Sequence, residues 1–196
     1  LIQMKKRPKQ FSITFLLPLL FIVNCSFWVY PEYGVRVPVA DGVEALNLNL
    51  IYGKSHTIAG VSVGGFNESD SLYGAKVGVI NFSKESYGVT VGLHNIAERA
   101  VGIHVGLLNE TGKLKSEKTP EKETRGYGLK VAVANIGTDE YSLNIGLANL
   151  GKLGVSIGAV NMGSFLQIGL INSCFEDQKS LIGLRHFVLF NLCLDK

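Results

Sequence analysis

Four histidines, His56, His94, His104 and His186, are the side chains of this chain best suited to hold a metal ion or relay a proton near neutral pH. His94 and His104 fall in two closely related stretches, "GVTVGLHN" and "GIHVGLLN", at places filled in sister stretches by Ile, Leu, Ala, Thr, Lys and Ser. Such interchange reads as tolerated surface positions, so no metal ligand is expected there. His56 and His186 have no partner at metal-ligand spacing. Asp70, Glu85, Glu98, Asp139 and Glu140 recur in successive charged segments and would gather along one edge if the chain stacked on itself. They lack the Gly-Asp spacing of calcium-binding repeats and read as solvated turns. "GVSVGG" has neither a following helix nor a lysine, which removes the nucleotide-loop reading. No Ser-His-Asp or Cys-His set is identifiable. The expectation is therefore no catalytic residue, no metal and no cofactor, and a chain that is not an enzyme.

What recurs is asparagine. An eight-residue pattern of small, apolar, variable, Val/Ile, Gly/Ala, small or apolar, variable and Asn ends at Asn67, Asn81, Asn95, Asn109, Asn135, Asn149, Asn161 and Asn172, at spacings of 14, 14, 14, 26, 14, 12 and 11. Degenerate flanks, "ALNLNLIY" to Tyr52 and "SLIGLRH" to His186, extend the series and are expected to cap it. The 26-residue step is one unit plus an insertion, the charged stretch 110–127 containing Pro120, which reads as a loop. Within a unit Val89, Val91 and Leu93 alternate with Thr90, Gly92 and His94, the period of a β-strand. No segment beyond the N-terminal leader carries a helical apolar stripe. The fold class is all-β.

Two architectures suit a strand-and-turn unit. Eight residues in one straight strand span about 26 Å, and the remaining six reach at most roughly 20 Å. A straight strand thus forces an antiparallel β-meander or β-barrel. A corner at the middle glycine lets each unit close on itself as one coil of a β-solenoid of about 14-residue units, the expected fold. Recurrent asparagine suits stacked coils, where amides can bond from one to the next. In this reading the apolar pair supplies the core, glycine a bend or close approach, and asparagine a structural bond. The variable position, Lys76, Thr90, His104, Lys130 and Asn144, is expected to face outward and offer side chains to a partner. Tyr73, Tyr87, Tyr127 and Tyr141 would form a stacked column or an aromatic girdle.

The N-terminus reads differently. Lys5, Lys6, Arg7 and Lys9 precede an uncharged apolar run from Phe11 to Val23, the plan of a secretory signal peptide over residues 1–24. The run is short for a membrane-spanning helix, which needs about 20 residues. "IVNC" resembles a bacterial lipobox, with Asn24 departing from the usual small residue, and marks Cys25 for lipidation; simple secretion or an uncleaved anchor are the alternatives. Removing the leader takes four of the 19 basic residues and leaves the rest near neutral against 16 acidic ones, so no nucleic-acid partner is expected. Residues 25–41 read as a lead-in linker and 42–196 as the repeat domain. Cys174 and Cys193 form either a disulfide or a pair of buried thiols.

At "GVTVGLHN", "GIHVGLLN" and "FLQIGLIN" the chain resembles the surface-repeat proteins of leptospires and similar bacteria, whose units read like GLQIGLxN. The stretch "GVEALNLNLIYGKSHTIAGVSVGGFN" is similar to their lead-in. The resemblance implies a bacterial cell-envelope location, at the outer membrane or cell surface, and brings no enzymatic activity or site residues with it. The expected function is a non-enzymatic structural or binding scaffold, held to the membrane by a lipid anchor, with a host or envelope protein as partner. The alternative is an integral outer-membrane β-barrel forming a pore or transport component.

Overall fold

In the computed structural model, residues 24–30, 33–37, 42–112, 126–181 and 186–195 are described. The signal-peptide segment 1–23 and most of the expected insertion lie outside them. The described chain is all-β. Its strands are β1 (Cys25–Tyr30), β2 (Tyr33–Val37), β3 (Val43–Val105), β4 (Leu108–Thr111), β5 (Gly126–Val131), β6 (Ala134–Met162), β7 (Leu166–Ser173), β8 (Gln178–Ser180) and β9 (His186–Asp195). They pair in one nine-stranded sheet.

β3 runs for 63 residues, and a straight strand of that length would reach roughly 200 Å. Instead it passes repeatedly beside itself: the backbone at Gly74 lies against Gly60, Gly88 against Gly74, and Gly102 against Gly88. Beyond β3 the same step continues between separate strands, always in parallel. Asn95 pairs with Asn109, Asn109 with Asn135, Lys130 with Asn144, and Asn161 with Asn172. An antiparallel meander would alternate direction at each of these steps. Equivalent residues of neighbouring units therefore lie side by side, even across the 26-residue gap, where Val101 pairs with Tyr127. Pairing extends to Thr111 and resumes at Gly126; residues 113–125 of the expected 110–127 insertion lie outside the described residues.

Both ends of the array turn antiparallel. Residues 25–41, expected as a linker, hold β1 and β2, a hairpin whose first strand lies parallel to the start of β3, Cys25 beside Leu46. The sequence "CSFWVY" and "YGVRV" carries the β-branched and aromatic content that strands favour. At the other end β9 runs antiparallel to β7 and to β8.

Glycine is required where units touch. Gly74, Gly88 and Gly102 have φ of 140°, 142° and 138°, a region L-residues rarely adopt. A Cβ on any of them would collide with the carbonyl oxygen of the equivalent residue one unit earlier. Ser142 takes this place in one unit without a positive φ, so conformation rather than place in the repeat sets the requirement. Gly88→Ala is expected to lower stability by about 2 kcal/mol or more through backbone strain; a denaturant melt matching the parent within 0.5 kcal/mol would contradict the close approach.

Candidate functional site

The eight asparagines form one continuous hydrogen-bonded column. Asn67 Nδ2 donates to Asn81 Oδ1 (2.8 Å), Asn81 to Asn95 (2.9 Å), Asn95 to Asn109 (2.9 Å), Asn109 to Asn135 (3.0 Å), Asn135 to Asn149 (2.9 Å), Asn149 to Asn161 (2.8 Å) and Asn161 to Asn172 (2.8 Å). Asn49, in the degenerate N-terminal flank, extends it by donating to Asn67 (2.6 Å). The second amide hydrogen is used as well: Asn67, Asn81 and Asn95 donate to the carbonyls of Val77, Val91 and Val105 in the following unit. All eight residues are at most 2 % exposed. Their amides bond to one another and to backbone carbonyls inside the array.

The variable position overturns the outward expectation. Lys76, Thr90, His104, Lys130 and Asn144 are all at most 3 % exposed. They face inward because the alternation runs opposite to the hydrophobic expectation: Val77, Val79, Val89, Val91, Leu93, Ile103, Val105 and Leu107, assigned to the core, are 37–54 % exposed. Among the described residues the buried apolar side chains are Ile58, Leu72, Ala97, Ala100 and two cysteines, whereas buried polar ones are many. A period of two fixes which residues share a face; it does not fix which face is inside. The asparagine column decides it, since its amides cannot bond one another in this way while competing with bulk water.

Interior charge is handled by hydrogen bonding. Lys76 Nζ donates to Ser69 Oγ (2.6 Å), Ser83 Oγ (2.7 Å) and the Phe82 carbonyl (2.8 Å). Burial pulls its pKa down to about 7, against a weak upward pull from Glu68. Lys130 Nζ donates to Thr111 Oγ1. His104, lowered to about 4 by burial and then by Lys130, stays neutral. Near the N-terminal end the Glu44 carboxylate accepts from Ser26 Oγ (2.6 Å), Asn47 Nδ2 (2.6 Å) and Ser55 Oγ (2.7 Å) and pairs with Arg36 (2.7 Å).

Outside, two kinds of surface are separated within each unit by the asparagine. Before it stand the apolar columns, and with them the tyrosines: Tyr73 stacks on Tyr87 at 5.1 Å and Tyr127 on Tyr141 at 5.8 Å. Val101, in register with Tyr127, interrupts the aromatic column. After the asparagine stand the charges. Lys54 pairs with Glu68 (2.7 Å), and Asp70 with both Lys84 (2.7 Å) and His56 (2.8 Å), each across a fourteen-residue step. Lys84 first and then His56 hold the Asp70 carboxyl below its usual range. Glu85 lies 3.9 Å from Arg99. Asp139 and Glu140 have side chains outside the described set. Among the described residues no group of three His, Cys, Asp or Glu side chains is placed to hold a metal ion.

Sequence separation left the cysteines open. Cys174 and Cys193 form a disulfide, with a Cα separation of 5.5 Å, tying the end of β7 to β9. Cys25 is free. Beside the disulfide a hollow of about 310 Å³ is lined by Tyr141, Lys152, Leu153, Val155, Phe165, Gln178 and Leu194. Lys152 is engaged by Asp177 (2.6 Å), and nothing in the lining forms an acid–base or nucleophile pair. The residues that sequence reasoning missed are the outward valines and leucines, whose only signal was the glycine and asparagine competing for the inside. No helix of the described residues is long and apolar enough to cross a membrane. No protein-family model, curated protein or solved structure matches the chain.

Two outcomes test this interior. Asn95→Ala removes the donor to Asn109 and to the Val105 carbonyl and the acceptor for Asn81. A loss of about 2–4 kcal/mol in denaturant melts is expected, against under about 1 kcal/mol for Lys84→Ala on the exposed charge row. For Lys76, the unfolded chain keeps its proton to about pH 10.4 while the folded site releases it near 7, so the unfolded state binds more protons between these values and stability rises with pH. Relative to Lys76→Met, the parent chain is expected to gain on the order of 4 kcal/mol from pH 7 to pH 10 and to show no relative change below pH 7; parallel melts over that range check it.

Proposed function

We propose that this chain is a bacterial envelope lipoprotein, a β-solenoid of about 14-residue units held to a membrane through a lipid on Cys25 and acting as a non-enzymatic scaffold. The observation that carries the reading is the asparagine column. Its units repeat in order to bond to one another, and the recurrent asparagines are spent inside on those bonds. What is left to act is the extended exterior: apolar columns on one side of the asparagine and charge rows such as Lys54–Glu68 and Asp70–Lys84 on the other. The charged side is the surface for an envelope or host protein. The likeness of "GVTVGLHN" and its sisters to leptospiral surface repeats supports the location, and the basic head, apolar run and Cys25 support the anchor.

A second reading has one observation in its favour. A polar inside and an apolar outside are the signature of an outer-membrane barrel, but the strands of such barrels run antiparallel, whereas neighbouring units here pair in parallel.

Expression of the full chain in a bacterium with lipoprotein-processing enzymes tests the proposal. The mature protein is expected to begin at Cys25 with a mass increment of a diacylglyceryl group, and Cys25→Ala is expected to lose it and to leave membranes in alkaline carbonate. An unmodified Cys25 in the parent protein would contradict the anchor; retention of Cys25→Ala in carbonate-washed membranes would favour the barrel if the mass shows residues 1–24 removed, and an uncleaved anchor if they remain.

A further inference from the structure

We propose that the apolar face lies on a lipid surface, in the same leaflet that receives the anchor, so that the scaffold rests along the membrane on its Val/Ile/Leu columns. The inference builds on lipidation of Cys25 and adds to it the orientation of the whole array.

Ser26 fixes which way β1 faces. Its side chain is buried, bonded to Glu44 and Asn47, so its neighbours Cys25 and Phe27 point the other way, and Phe27 is exposed. Cys25 lies beside Leu46 and Phe27 beside Leu48. These two places lie in the two central apolar columns, one strand in from the β2 edge, where Val37 stands beside Cys25 and Val35 beside Phe27. The first runs on through Ile103, Leu129 and Leu143, and the second through Val105, Val131 and Ile145, to Leu166 and Ile168 at the far end. Cys25 is thus part of the apolar face, near its N-terminal end. A lipid on its sulfur leaves the protein from that face, with no linker between anchor and sheet. The uncharged run Phe11–Val23, separated from Cys25 only by Asn24, would enter from the same place if it stayed attached.

Charge agrees with this placement. From Cys25 to Leu166 and from Phe27 to Ile168 the columns contain no ionisable side chain except Cys25 itself, while the Lys54–Glu68, Asp70–Lys84 and Glu85–Arg99 pairs all follow the asparagine and His94, paired with Glu110, stands next to it. About ten rows at strand spacing make a face roughly 45 Å long, and its two columns lie about 7 Å apart, which gives a contiguous apolar patch of several hundred Å², the size that marks an interaction site on a protein surface. A second copy is the competing occupant. Lipid is favoured because chains on Cys25 would stand between two such faces.

Fluorescence on the full chain in vesicles of phosphatidylethanolamine and phosphatidylglycerol with brominated acyl chains decides the matter. Trp28→Phe removes the native tryptophan, and one probe is added at Val91→Trp on the face or Lys84→Trp on the charge row. The face probe is expected to lose roughly twofold in emission, as for side chains buried about 5–10 Å into the headgroup boundary, and the Lys84 probe to be unquenched. Val105→Trp and Glu98→Trp repeat the comparison should either first variant lose its β circular dichroism. Equal quenching of both probes, or an unquenched face probe on vesicle-bound protein, overturns the proposal. So does a face probe shielded without vesicles in a concentration-dependent dimer, which assigns the face to a second copy. The mass of Cys25 is read separately on the same protein: an unmodified cysteine overturns lipidation alone, and the face probe still decides the orientation.

Discussion

The amide-to-amide bond between equivalent asparagines is the interaction on which the rest depends. Each Nδ2 reaches the Oδ1 of the next unit at 2.8–3.0 Å from Asn67 to Asn172, and this is possible only if equivalent residues lie directly side by side. One row in register places every other row in register. The tyrosine stacks, the Lys54–Glu68 and Asp70–Lys84 pairs and the contacts between glycine backbones all follow from the same step. The column also sets polarity. A chain of buried amides needs an interior that tolerates polar neighbours, and the neighbours are Ser, Thr, Lys, His and Asn rather than Leu and Val.

That choice displaces the apolar side chains to the outside, and it is the feature behind the proposed membrane-facing surface. In most soluble proteins the hydrophobic effect assembles the core and polar groups cover it. Here backbone pairing and buried amides hold the units together, and hydrophobic burial is left to the surroundings. The Lys76 ammonium, which donates to three oxygens inside the array, fits this arrangement better than it would an apolar core.

Much of this was legible in residue spacing. The positions of Asn67 to Asn172 mark the units, including the 26-residue jump at Asn135, because a lone insertion leaves the register of flanking units intact; whether neighbouring units run parallel or antiparallel stayed open, since the same spacing suits a coil or a straight strand. Period-two alternation gave strands throughout. The sign of the alternation was not legible: Val91 out and Thr90 in is the same pattern as its inverse, and hydropathy alone picks the wrong member. The Cys174–Cys193 bond and the β1–β2 hairpin depend on how the ends fold back, which the repeat does not specify.

Every contact between units depends on parallel stacking in register. Nitroxide pairs placed at Val91 and Val105, and separately at Lys84 and Glu98, sample two different places in the unit, each across one fourteen-residue step. Stacking places the backbones of both pairs about 5 Å apart, so both spectra should show strong dipolar broadening. One broadened pair and one unbroadened pair is the pattern of strands running in alternate directions, and would contradict it.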